Sequence, residues 1–371
     1  MGKILYTILD WGLGHATRSI PLIRYFQARG FEVIVAGTPA QFQILKAECP
    51  GIGFEPLQGH TVRFGRTRSL TQLSLLFQLP KWLWGIQSEY SAVQRLVNRL
   101  QPVLLVSDNR YGCYSKTIPS VLITHQLTLR TGLGKWIDHL ANRLNQFLIG
   151  RFTQCWVPDE NSRDNLAGTL SLKQDRLNIP TFYLGGLTRF QACANDRSDK
   201  SGCLVILSGP EPQRSQLEQK ILQQSQELQL PLTLIRGVPI DSAVPKVSAP
   251  VQIFNHLDTA ALQSLCCQAK YVISRSGYSS LMDYARLKCR PILVPTPGQA
   301  EQEYLAAYVA SKRWGLNIPQ KRFHLASALN LADQFPFQHP SLRFDQYPQG
   351  VQAGLSQMHL LPLRELSLRK N

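Results

Sequence analysis

Ile4-Leu5-Tyr6-Thr7-Ile8-Leu9-Asp10-Trp11-Gly12-Leu13-Gly14-His15-Ala16-Thr17-Arg18 opens the chain with an apolar run, a short glycine loop and the start of an amphipathic stretch, Ser19 to Arg29. A buried strand followed at once by a tight turn and a helix is the unit from which parallel sheets are built. The same alternation continues outward from it. Apolar runs recur at Glu32 to Ala36, Val103 to Ser107, Ser120 to Thr124 and Cys155 to Val157, with a second amphipathic stretch at Leu133 to Ile149. After a polar segment at 191–202 the pattern restarts with Cys203 to Leu207, a helical Gln213 to Leu228, Leu232 to Ile235, Val251 to Phe254, Tyr271 to Ile273 and Ile292 to Val294. The reading is an α/β chain of two Rossmann-like domains, 1–190 and 203–340, joined by the linker 191–202, with an interdomain cleft. A tail, 341–371, is expected to pack back on the first domain or to fray.

Length and composition agree with this division. The 371 residues suit two cores of ordinary size, and 44% hydrophobic with 17% charged residues is a globular balance. No apolar run approaches the ~20 residues that span a bilayer. Met1 to Leu9 reads as a first strand rather than a signal peptide, so a cytoplasmic location is expected. The eight cysteines, at 49, 113, 155, 193, 203, 266, 267 and 289, have no C-x-x-C spacing. Reduced, buried thiols are expected, with neither a disulfide framework nor a zinc site.

The formal charge of +16 is unevenly spread. Between residues 56 and 154 twelve Lys or Arg face three acids. Such a stretch suits an anionic partner, and the plain alternative is a basic soluble surface. Leu70 to Gly85, with Trp82 and Trp84 beside Arg63, Arg66, Arg68 and Lys81, has the aromatic and cationic character of a membrane interface, although core helices share that pattern. Peripheral attachment at the inner face of the membrane is therefore an expectation. Nucleic acid is not expected as a partner, since no zinc finger, RRM or basic zipper appears.

Four loops carry candidate chemistry. The first is Asp10 to Arg18, at the carboxyl end of a strand, where open α/β sheets bind ligands. It lacks the full G-x-G-x-x-G spacing of a dinucleotide site. His15 there can take a proton near neutral pH, with helix capping as its plainer role, while Asp10 and Asp108 are alternative bases at the same sheet edge. The second, Ser274-Arg275-Ser276-Gly277-Tyr278-Ser279-Ser280, makes a polar helix N-terminus suited to phosphate, with Asp283 a turn and a half along. The third, Pro295 to Glu303, offers Gln299, Glu301 and Gln302 for sugar hydroxyls. The fourth, Ser208-Gly209, can bring backbone to a diphosphate.

Taken together, GLGHATR, SRSG(x5)D and VPTPGQAEQ resemble the GT-B glycosyltransferases, and are similar to the lipid II-forming N-acetylglucosaminyltransferase and its glycolipid synthase relatives. The resemblance implies an inverting transfer from a nucleotide-sugar, UDP-linked in the first instance, to an acceptor hydroxyl, without metal or other cofactor. The chain also has no Asp-x-Asp motif. It implies Ser276, Gly277 and Asp283 at the donor nucleotide, Gln299, Glu301 and Gln302 at the donor sugar, and Arg275 or Arg236 at the leaving diphosphate. Gly12, Gly14 and His15 fall to the acceptor side, where His125 and Gln126 only partly match a His-Glu-Gln-Asn element. The first loop has fewer glycines than the family pattern, and Asp283 stands where Glu is usual. The acceptor stays open, a lipid-linked one being a lead. A nucleotide-sugar 2-epimerase on the same architecture is the first alternative, and a basic nucleic-acid-binding protein, resting on charge alone, the second.

Overall fold

The computed structural model describes residues 2–11, 13–59, 68–172, 177–193, 200–227, 231–238, 241–246 and 251–360, with 68–77 and 79 described through the backbone alone. Gly12, Arg63 and Arg66, the middle of the 191–202 linker and the last residues of the tail lie outside that description, as do the side chains of Arg68 and of residues 70–77 and 79 in the tryptophan stretch.

In chain order the elements are β1 (Lys3–Ile8), α1 (Gly14–Ala28), β2 (Glu32–Gly37), α2 (Pro39–Glu48), β3 (Gly53–Pro56), α3 (Arg68–Leu100), β4 (Leu104–Asp108), β5 (Ser120–Ile123), α4 (Lys135–Ile149), β6 (Gln154–Val157) and β7 (Thr181–Tyr183). There follow β8 (Ser201–Ile206), α5 (Gln213–Gln224), β9 (Leu232–Ile235), β10 (Val251–Phe254), α6 (Thr259–Gln268), β11 (Ala269–Ser274), α7 (Tyr278–Leu287), β12 (Pro291–Leu293), α8 (Ala300–Ser311), β13 (Leu316–Asn317), α9 (Leu325–Gln334) and α10 (Tyr347–Gln357). Two all-parallel sheets result, ordered β3-β2-β1-β4-β5-β6-β7 and β10-β9-β8-β11-β12-β13. Each begins with the doubly wound order in which the first strand pairs with both the second and the fourth. Every apolar run read from the sequence is a strand. The strands β3, β7 and β13 were not read: each lies at a sheet edge with no fully buried residue, and Gly-Phe-Glu-Pro, Thr-Phe-Tyr and Leu-Asn are not runs of Val, Ile and Leu.

The chain divides into two compact units. In the first, alternate residues of β1 serve opposite cores. Ile4, Tyr6 and Ile8 join Ile20, Ile23 and Phe26 of α1 on one face. Leu5 joins Val93 and Val97 of α3 and Leu105 on the other. Burial on both faces explains why these strands read as continuous apolar runs. Helix α2 starts with a capping box, Thr38 and Gln41 each accepting the other's backbone N–H, and Gln41 Nε2 also donates to Leu9 O at 2.7 Å. That bond ties the helix to the end of β1.

The segment from Leu342 belongs to the first unit. Gly186 N donates to Arg343 O, and Val351 and Leu355 of α10 enter the core beside Trp156. The helix lies close because Gly350 and Gly354 are a turn apart on its inner side. A Cβ at Gly354 would stand 2.8 Å from both Gln154 Oε1 and Trp156 Nε1. In the second unit, α5 and α9 cover one face through Leu217, Ile221, Leu325 and Leu329, packed on Val205, Ile273 and Ile292.

One expectation is corrected here. Cys193 and Cys267 form a disulfide, with Cα atoms 5.8 Å apart across 74 residues of sequence. Spacing could not reveal it, since the irregular segment that carries Cys193 is brought to α6 only by folding. The other six cysteines are free and buried, as expected.

Gly354→Val should lower unfolding free energy by about 1–3 kcal/mol in urea titrations, as overpacking does, whereas Ala353→Leu on the exposed side should stay within ~0.5 kcal/mol.

Candidate active site

In the first sheet β1 pairs directly with β4, Ile8 opposite Asp108. The glycine loop leaves the carboxyl end of one strand while the carboxylate ends the other. His15, in the first turn of α1, and Asp108 therefore meet at the point where strand order reverses. His15 Nδ1 stands 3.0 Å from Asp108 Oδ1. The Asp108 carboxylate is wholly buried, and Arg18, one turn on from His15, grips both its oxygens, Nε to Oδ2 at 2.9 Å and Nη2 to Oδ1. Ser19 Oγ lies 3.1 Å from Oδ2 and 2.8 Å from His15 O. The imidazole keeps 16% of its surface exposed, with its Nδ1 edge held by Asp108.

Burial pushes the Asp108 carboxyl up, but Arg18 and His15 outweigh it and hold it well below the usual carboxylate range. Burial and then Arg18 pull His15 below its ordinary 6.5, against the opposing effect of Asp108, with His125 adding a smaller depression. Near neutral pH the histidine is thus neutral, its Nδ1–H donated to a fixed carboxylate and Nε2 left as a proton acceptor. Asp108, read as an alternative base, lies between His15 and Arg18 and fixes the imidazole ring. Arg18 had no role assigned from sequence; its spacing of three from His15, which puts both on one helix face, was the available signal.

Asp10 is turned elsewhere. Its carboxylate lies against Gly59, where a Cβ would come within 2.6 Å of Oδ1, and within electrostatic reach of Arg110. Arg110, fully buried, joins the loop ends by donating to Ile8 O, Leu57 O and Gln58 O and to Glu89 Oε1. His125 is buried just after β5, near enough to influence His15, and Gln126 beside it is half-buried. Gly14 begins α1.

The second sheet repeats the arrangement. β8 pairs with β11, Ile206 opposite Ser274, so Ser208-Gly209 and Ser276-Gly277 leave neighbouring strand ends. Gly209 takes φ +98°, and a Cβ there would lie 3.6 Å from Thr296 Oγ1, after β12. Gly277 is the N-cap of α7, with no side chain capping the helix. A Cβ at Gly277 would meet nothing within 4 Å, and its φ of −70° makes no demand for glycine. The space over this helix start is open, and the first-turn N–H groups face it.

Both arginines read as cations for a diphosphate are placed otherwise. Arg275 is 1% exposed, its Nη1 bonded to Val294 O and Gln320 Oε1 and its Nη2 to Gln213 O. It braces the ends of β11 and β12 against α5, and burial draws its pKa down to about 10. Arg236 is committed to Glu218, Ala243 O and Asn255. Ser276 Oγ donates to Gln302 O, and Gln302 Oε1 accepts Thr296 N at 2.9 Å, so these two side chains lock one loop to the other. Asp283 is half-buried in the second turn of α7, within reach of Cys266. Gln299 stands at the N-cap position of α8 without a side-chain capping hydrogen bond, and Glu301 follows, half-buried.

The fold is shared with known enzymes. The calicheamicin glycosyltransferase CalG4 is similar over 97% of this chain and 94% of its own, at 12% identity and TM-score 0.62. The spinosyn rhamnosyltransferase SpnG complexed with thymidine diphosphate is similar over 96% and 100%, at 14% identity and TM-score 0.61. SnogD from Streptomyces nogalater matches over 96% and 100%, at 13% identity and TM-score 0.58. The chain has the GT-B glycosyltransferase fold. Within it, residues 205–336 match the glycosyltransferase family 28 C-terminal domain, the span that holds the Gly209, Gly277 and Gln302 loops. No curated protein matches the chain.

Followed by NMR, the His15 imidazole should titrate below pH 6.5. Arg18→Met should raise that midpoint by removing the cation, and Arg18→Lys should restore part of the depression; unchanged midpoints in both would disprove the assigned electrostatics.

Proposed function

We propose that the chain transfers a sugar from a nucleoside diphosphate sugar to an acceptor hydroxyl, with inversion at the anomeric carbon and without metal. The observation that carries this reading is the His15–Asp108 pair at the reversal point of the first sheet. Nε2 of His15 takes the acceptor proton as the oxygen attacks the anomeric carbon and the bond to the diphosphate breaks. Asp108 holds the ring through Nδ1–H and stabilises the imidazolium that forms. Arg18 keeps Asp108 ionised and fixed. In the second unit, the uncapped start of α7 at Gly277 and the Gly209 turn receive the diphosphate through backbone N–H groups, whose positive helix end meets the charge of the leaving group. With Arg275 and Arg236 engaged internally, the leaving charge falls to these N–H groups.

The family 28 match over the second unit supports nucleotide-sugar binding. SpnG and SsfS6 are described as complexes with thymidine diphosphate, which puts TDP-sugars beside UDP-sugars as donors to test. The sugar is a hexose or an N-acetylhexosamine, and a lipid-linked acceptor is the first to try, at the inner face of the membrane.

Thermal-shift titration with UDP, TDP and their sugars tests the donor; no response to any overturns the reading. Turnover should persist in EDTA. Conversion of UDP-N-acetylglucosamine without acceptor would instead mark an epimerase. His15→Ala should cut kcat by about 10²–10⁴ while leaving donor affinity nearly unchanged. Gly277→Ala should fold normally and weaken nucleotide diphosphate binding by about tenfold or more, since its methyl enters the space the phosphate needs.

A further inference from the structure

Four of the eight cysteines lie in the second unit where α6, α7 and the segment before β8 come together. Cys193 and Cys267 are joined. Cys266, next to Cys267 on α6, and Cys289, just past the end of α7, are free and buried, and Cys289 Sγ donates to Cys266 O at 3.7 Å. The two pairs differ in what can reach them. The joined cysteines are half-buried, and their chain neighbours Gln191, Ala192 and Gln268 are exposed. The free pair is enclosed. Hydrogen bonding to Cys289, and then burial, hold the Cys266 thiol well above its ordinary value, so it stays protonated and is a poor nucleophile.

The surroundings of Cys193 fit both redox states. In the disulfide its sulfur carries no hydrogen, yet Leu287 O, in the last turn of α7, stands 3.4 Å away. The last carbonyls of a helix have no partner within it. Once the bond is reduced, the Cys193 thiol has that acceptor ready. Gln191 N also donates to Gln263 Oε1 of α6 at 3.2 Å, and Phe190 is buried, so the segment keeps other ties to the unit when the bond is open. Two thiols held side by side in this way close again far more readily than two free in solution.

The stretch from Cys193 to Cys267, a separation of 74 residues, carries β8, the Gly209 turn, α5, β9, β10 and most of α6. Closing a loop of that length removes much of the freedom of the unfolded chain, which raises the stability of the unit that contains it. We propose that Cys193 and Cys267 form a reversible redox site, opened in the folded chain by an external dithiol and closed by a disulfide, which sets the stability of the second unit. In opening, a thiolate of the dithiol attacks one sulfur, the bond between the two cysteines breaks, and the other sulfur leaves as a thiolate that takes a proton. The second thiol of the reagent then attacks its own sulfur in the mixed disulfide, which closes the reagent's disulfide and releases the remaining cysteine as a thiol. Two electrons and two protons pass to the protein, and closure is the reverse. On the transferase reading, the bond therefore governs how well the Gly209 side of the donor cradle withstands heat.

The test uses the full chain without ligand, so its failure and that of the transferase reading are distinguishable. After incubation with glutathione disulfide, the urea-denatured chain should titrate six thiols with no added mass, and after dithiothreitol in native buffer all eight. The reduced chain should keep its circular dichroism and melt about 5–10 °C lower. A second incubation with glutathione disulfide should restore the six thiols and the first Tm. Cys193→Ser with Cys267→Ser should melt like the reduced chain and ignore dithiothreitol, whereas Cys266→Ala should keep the shift. Eight thiols after oxidation, a bond that dithiothreitol opens only once the chain is unfolded, an unchanged Tm on reduction, or reclosure through Cys266 or Cys289 in peptide maps would each overturn the proposal.

Discussion

The parallel pairing of β1 with β4 is the constraint from which the rest of the first unit follows. Because β1 also pairs with β2 on its other side, the connections after β1 and β4 depart to opposite faces of the sheet. The strand ends between them are left uncovered. His15 arrives there on the loop from one strand and Asp108 ends the other. A buried carboxylate at that place is tolerable only with compensating charge, which Arg18 supplies through Nε and Nη2. The arginine that keeps the buried carboxylate charged thus also fixes the group against which His15 is held.

The second sheet uses the same reversal for a different task. Among the described residues, no ionisable pair joins the ends of β8 and β11. What the structure places there is backbone: the positive-φ turn at Gly209 and the bare helix start at Gly277. The arginines nearby hold loops together. Arg275 in particular spends its donors on main-chain carbonyls and Gln320, which makes the shape of the cradle depend on a residue that does not line it. The positive charge this edge presents is that of aligned peptide dipoles at the start of α7.

The attachment of the segment after Leu342 shows how distant parts of the chain complete one core. Val351 and Leu355 fill space beside Trp156, and the glycines at 350 and 354 let the helix come close enough to do so. The basic character of the region from 56 to 154 resolves likewise into particular roles. Arg110 is a buried clasp on the loops, whereas Lys135 and Arg143 are exposed on α4.

Apart from the edge strands β3, β7 and β13, the strands were legible in the sequence, because buried parallel strands must be continuously apolar. The loops that matter were legible too, since glycine, serine and histidine directly after a buried strand mark a carboxyl edge. Side-chain partners were not. That Asp108 faces His15 depends on its register opposite Ile8, ninety-three residues from His15 along the chain. That Arg275 and Arg236 turn inward depends on carbonyls brought to them by other strands. The disulfide between Cys193 and Cys267 depends likewise on a meeting that only folding arranges. Local pattern sets which elements form, because propensity and periodicity act over a few residues; tertiary packing alone decides which charged groups meet, because that requires distances the linear chain does not contain.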